Sequence, residues 1–133
     1  MKAKKTILPN GLRIITVPMK DTATVAVYVL VEAGTKYESK QYNGISHFLE
    51  HVCFKGTTKR PSSYAINSEL DSIGAQSNAF TSHEFTGYHA RSHSKHLPKI
   101  VDILSDIYLN STFPIGEIEK EKGVILEEIN MYE

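Results

Sequence analysis

Cysteine is almost absent from this chain: Cys53 is its single thiol, which excludes an internal disulfide and any cysteine-cluster zinc site. A lone thiol of this kind is expected to pack as a small buried hydrophobe. An excess of either charge is missing too. Fifteen Lys plus Arg balance fifteen Asp plus Glu, leaving no net field to gather nucleic acid or an anionic membrane. The tyrosines, among them Tyr28, Tyr64 and Tyr108, are not interleaved with clustered basic residues, so they read as core or rim side chains rather than platforms for bases. Lys59-Arg60 is only a short basic pair in a turn and reads as solvated. Long apolar runs are also lacking. The longest, Val25 to Val31, is too short to cross a bilayer, and the basic start MKAKK leads into ILPNG rather than a secretory apolar segment. These absences predict a soluble, cytoplasmic protein with no nucleic acid and no membrane among its partners.

What is present suits a globular core, since 41% of the 133 residues are hydrophobic and 23% charged. No repeat, low-complexity tract or linker divides them, so one domain over 1–133 is expected. Asn10-Gly11 between two apolar runs predicts a hairpin over residues 6 to 17. TVAVYVLVEAG, ended by Gly34, predicts a buried strand of the same sheet. Asn43 is expected to cap a helix running to about Phe54, with Gly56 just beyond. A second helix is predicted from Pro61 to Ile73, then short strands in AQSNAFT and EFTGYHA. Leu97, Ile100, Val101, Leu104, Ile107 and Tyr108 trace one face of a helix from Lys95 to Leu109, with Pro98 tolerable in its first turn. A last helix begins near Gly116, passes Ile118, Ile125 and Ile129, and meets no stop signal, so a longer parent chain is expected. The order of elements implies an α+β fold, mainly an antiparallel sheet covered by helices.

The segment GISHFLEHV, residues 44 to 52, carries the chemistry. With His47 at zero on a helical wheel, Glu50 falls near about −60° and His51 near about +40°, while Ile45, Phe48, Leu49 and Val52 form an apolar stripe turned away. Imidazoles one turn apart can both reach a single zinc ion, and a carboxylate beside them can serve as base on a zinc-activated water. The order HxxEH inverts the commoner HExxH and occurs in inverted zinc peptidases. Two ligands hold zinc poorly, so a third is required. The last helix offers Glu121 and Glu128, seven apart and therefore within about 20° of each other, whereas Glu127 points about 120° away from Glu121 toward solvent. His89, His93 and His96 are a weaker alternative metal set, because a strand-to-helix junction does not fix their geometry, and His83-Glu84 reads as a loop or strand-end pair.

HFLEH at 47 to 51, FKGT at 54 to 57, LDSIGAQSNAFTSHEFTGYHA at 70 to 90 and EKEKGVILEEI at 119 to 129 together resemble the pitrilysin and insulinase family of zinc peptidases, in the group of bacterial processing proteases and the mitochondrial processing peptidase β subunit. The resemblance covers nearly the whole chain. It implies a mitochondrial-processing-peptidase-like metallohydrolase half, truncated, and a zinc metalloendopeptidase acting on extended peptides or presequences. It also implies one Zn2+ per domain held by His47, His51 and Glu128, with Glu50 as general base and Glu121 as a carboxylate supporting the site. The strand corresponding to SNAFT would be an open edge whose backbone around Asn78, Ala79 and Phe80 binds the peptide as an added strand. Family members continue into a similarly folded second half that contacts substrate, so a homologous half or partner subunit is implied, or a second copy in a homodimer. A fragment that binds zinc and peptide without hydrolysis is the alternative, although an unligated Glu50 would add nothing to a purely structural zinc site.

Overall fold

Asn10 and Gly11 reverse the chain as their types demand. The Asn10 side-chain oxygen accepts from the Leu12 amide at 3.1 Å, and Gly11 takes the left-handed φ of 86°. The turn joins β1 (Lys4–Ile7) to β2 (Arg13–Thr16) in antiparallel register from Lys4 opposite Thr16 to Ile7 opposite Arg13. The computed structural model describes residues 2–132, and within them the hairpin is a sheet of its own.

The expectation that the next strand extends the hairpin is therefore corrected. β3 (Thr24–Val31) instead pairs antiparallel with β5 (Thr86–His93), which pairs antiparallel with β4 (Gln76–Thr81), giving the order β3-β5-β4. The apolar run of β3 is also not buried on both faces. Val25, Val27 and Val29 pack against the core, whereas Tyr28 and Leu30 are more than half exposed on the other face. An unbroken apolar run masks this alternation, because both faces carry the same residue types.

The buried core packs on the valine face of the sheet. α3 (Leu97–Leu109) lays Ile100, Ile103, Leu104 and Ile107 there, each at most 1% exposed, at the spacing that makes one helical stripe. Truncating any of them to Ala costs about 2–5 kcal/mol. α2 (Ser63–Ser72) adds Ile66 and Leu70, and Ser62 caps it by accepting from the Ala65 amide at 3.2 Å. Cys53 joins this core as a buried thiol, its ionisation made harder by burial.

α1 (Ile45–Cys53) is capped in an unexpected way. Gly44 at φ 88° is the cap residue, and Asn43 does not fill that role. The Glu38 carboxylate accepts from the Gly44 amide at 2.7 Å and the Ser46 amide at 2.8 Å. Burial works against its charge, but these bonds hold its pKa below the usual carboxylate value. The stripe opposite the imidazoles is only partly covered: Val52 is buried, while Ile45 and Leu49 are 41% and 42% exposed. α4 (Ile115–Tyr132) crosses α1 and brings the carboxyl-terminal acids to it.

The solvated reading of Lys59-Arg60 holds for Lys59 and fails for Arg60, which is 1% exposed. The tight turn from Thr57 to Arg60 directs its side chain beneath α2 and α3. There Nη1 donates to Asp106 at 2.6 Å, and Nη2 donates to Asp102 at 2.6 Å and Glu69 at 3.0 Å. Lys59 and Arg60 hold Asp102 down at a pKa of about 2. Burial works against the Asp106 charge, yet bonds from Thr57, Asn110 and Arg60 keep that group low as well.

Candidate metal centre

Helix periodicity carries His47 and His51 to one face of α1, and α4 meets that face with Glu121 and Glu128. His51 Nδ1–H donates to Glu121 Oε1 at 2.8 Å. With that proton placed, Nε2 presents its lone pair, and it lies 3.0 Å from His47 Nε2. Glu128 Oε2 stands 3.6 Å from His47 Nε2 and 3.7 Å from His51 Nε2. These three side chains form one potential metal-binding group among the described residues. An ion bonded at about 2.0–2.2 Å to nitrogen and oxygen gives ligand separations of this size, so the donor set fits zinc.

Glu121 is only 4% exposed, and its second oxygen meets Lys55 Nζ at 2.6 Å. Burial opposes its charge, but the Lys55 ammonium and the His51 ring outweigh that and hold its pKa below the ordinary value. The carboxylate thus fixes the tautomer and orientation of the imidazole it touches. Glu127 is exposed, as its wheel position predicts.

Glu50 points from α1 toward the sheet, where its Oε2 accepts from Thr81 Oγ1 at 2.6 Å. β4 is paired on one side only, by β5, so its other edge is open among the described residues. A cleft of about 500 Å³ runs between that edge and the metal-binding group, lined by Glu50, His51, Lys55, Asn67, Asn78, Ala79, Glu128 and neighbouring residues. The Phe80 ring lies on the far face of the sheet, against Gly87, where an added Cβ would sit 2.4 Å from it. Only the backbone of Phe80 is therefore available to the cleft.

The other histidines stay apart. His89 stacks on Tyr28 with ring centroids 5.0 Å apart on the outer sheet face, and His93 Nδ1 accepts from the Lys95 amide at 3.2 Å. His83 meets the Thr35 hydroxyl at 2.8 Å and Glu84 pairs with Lys36 at 2.8 Å, a loop arrangement as anticipated. The sequence reading overlooked Lys55 and Thr81. Lys55 had a signal, since it follows His51 by four residues, and it lies in the turn just past the end of α1 at Cys53. Thr81 had none, because its contact depends on how β4 packs against α1.

Residues 13–133 match the insulinase domain, peptidase family M16. Over 132 residues the chain is 46% identical to the mitochondrial-processing peptidase subunit beta of Bos taurus, a match spanning 99% of this chain and 26% of that one. Over 130 residues it is 43% identical to the uncharacterized zinc protease YmxG of Bacillus subtilis, spanning 98% of this chain and 32% of that one. Among solved structures, a protease from Helicobacter pylori superposes with a TM-score of 0.90 at 30% identity, over 96% of this chain and 30% of that chain. The chain thus spans about a quarter to a third of the length of these relatives.

Proposed function

The chain belongs to the insulinase family of peptidases, family M16, and from that premise we propose that it forms the zinc-binding domain of a metalloendopeptidase acting on extended peptides. His47, His51 and Glu128 would hold the zinc. Zinc bound there supplies a Lewis acid that polarises a peptide carbonyl and acidifies water. Glu50 takes the proton from the attacking water and hands it to the departing amine as the carbon–nitrogen bond breaks. Glu121 keeps the His51 ring aimed, and the open backbone of β4 around Asn78, Ala79 and Phe80 binds substrate as an added strand. A peptide held by its backbone is read with little regard to side chains, which suits a protease of extended segments.

The observation that carries this reading is the convergence of two Nε2 atoms and one carboxylate from helices far apart in sequence. Zinc content and peptide cleavage, measured for the wild type and for His47→Ala, His51→Ala, Glu128→Ala and Glu50→Gln, test it. Glu50→Gln should keep zinc and lose roughly 10²–10⁴-fold in kcat. Full activity in that variant would remove Glu50 from its role. A second reading has its own support: the chain spans only 26% of the Bos taurus relative. It would bind zinc and peptide but cleave nothing until a second half, on the same chain, on a partner subunit or from a second copy, completes the cleft. Cleavage that appears only when the second half is supplied would identify this case.

A further inference from the structure

We propose that Thr81 is a positioning residue for Glu50, fixing through its hydroxyl the carboxylate that handles the proton, and that it does so from the strand that carries the substrate. This rests on the zinc-peptidase reading above. The bond from Thr81 Oγ1 to Glu50 Oε2 is 2.6 Å long, within the short range of about 2.5–2.7 Å found when a hydroxyl donates to an ionised carboxylate. A Glu side chain turns about three bonds, and α1 fixes only its root. Thr81 is restricted at χ1 by its β-branch, so its hydroxyl direction is set by the backbone of β4.

That backbone is itself held. β4 pairs with β5 in continuous register from Gln76 opposite Arg91 to Thr81 opposite Thr86, and the Thr86 hydroxyl is anchored on the Ala33 carbonyl at 2.8 Å. Asn78, Ala79 and Phe80 immediately precede Thr81 on the same strand. A peptide added to the β4 edge and the carboxylate tied to the β4 end therefore share one frame, while the zinc ligands ride on α1 and α4. With Oε2 engaged by Thr81, Oε1 takes and returns the proton. A misplacement of about 1 Å can cost on the order of 100-fold in rate, which makes such a tether worth having.

The test uses the natural full-length protein, zinc-loaded and with any partner subunit, and a quenched-fluorescence peptide as substrate. Thr81→Val, nearly isosteric, should lower kcat roughly 10–100-fold and leave KM and zinc stoichiometry within about twofold of the wild type. Thr81→Ser should restore most of the loss, and a structure of the Val variant should show the Glu50 carboxylate displaced. Wild-type kcat in Thr81→Val, a loss falling on KM or zinc content instead, no rescue by Ser, or an unmoved carboxylate would each overturn the proposal. If Thr81→Val does not fold, Thr81→Ala against Thr81→Ser makes the same comparison. An active Glu50→Gln sinks the peptidase mechanism itself. An inactive Glu50→Gln beside an unaffected Thr81→Val sinks only the role of Thr81.

Discussion

The Arg60 cluster and the His47, His51 and Glu128 group both gather polar side chains, but their charge patterns differ. Around Arg60 a cation is already present, and Asp106, Asp102 and Glu69 surround it. Around His47 and His51 the arrangement is inverted: atoms able to donate electron pairs all lie within 4.8 Å of one another. Exposure follows the same division. The Arg60 side chain is 1% exposed, whereas those of His47 and Glu128 are 40% and 35% exposed beside an open cleft. A cluster that carries both signs of charge pairs within itself, with Arg60 Nε alone left without a hydrogen-bond partner, whereas a cluster of electron-pair donors suits a bound cation.

Substitutions can sharpen this contrast. His51→Ala and Glu128→Ala should weaken zinc binding by more than about 100-fold, since even a supporting partner is worth about 10–100-fold. The metal-free melting temperature of Glu128→Ala should stay close to wild type, whereas His51→Ala also takes a hydrogen bond from the buried Glu121. Chelator competition and calorimetry measure the two quantities, and equal losses in both would erase the distinction. Asp106→Ala should do the reverse, costing about 3–5 kcal/mol in denaturant unfolding by leaving a buried guanidinium short of a partner, with zinc stoichiometry intact. Glu121→Gln keeps an acceptor for His51 but removes the charge facing Lys55, so a zinc affinity loss of about 10–100-fold is expected in chelator competition.

The smallest effect concerns acid. Asp102 titrates lower in the folded protein than in the unfolded chain, so its contribution to stability is full above about pH 4 and fades as the pH falls toward about 2. Circular dichroism of the metal-free protein should show Asp102→Asn to be slightly less stable near neutrality. That difference should narrow across the same acid window, and a constant gap down to the lowest pH would exclude this linkage.

The same contrast explains what could be read from the sequence. The His47 and His51 pair was legible because both ligands lie within one helical turn and share a face. Glu128 and Glu121 entered first as two equivalent candidates, since periodicity puts them on one side of α4 without saying which atom each would meet. The Arg60 cluster was invisible, because its partners lie 9, 42 and 46 residues away and nothing local separates Arg60 from exposed Lys59. The helices and the Asn10-Gly11 hairpin were legible through periodicity and turn chemistry. The pairing of β3 with β5 was not, because partner choice between strands depends on tertiary packing rather than on either segment alone.

Glu38 has a consequence that reaches beyond its own loop. A helix bearing two imidazoles behaves as a short rod, and here the rod is moored at its front end by a carboxylate six residues ahead of Gly44. The placement of α1 is thereby shared with the residues between 38 and 44, none of which lines the cleft. Drift in that outlying stretch would be felt as a change in where the helix points, so it matters to the candidate metal centre as much as the residues that line it.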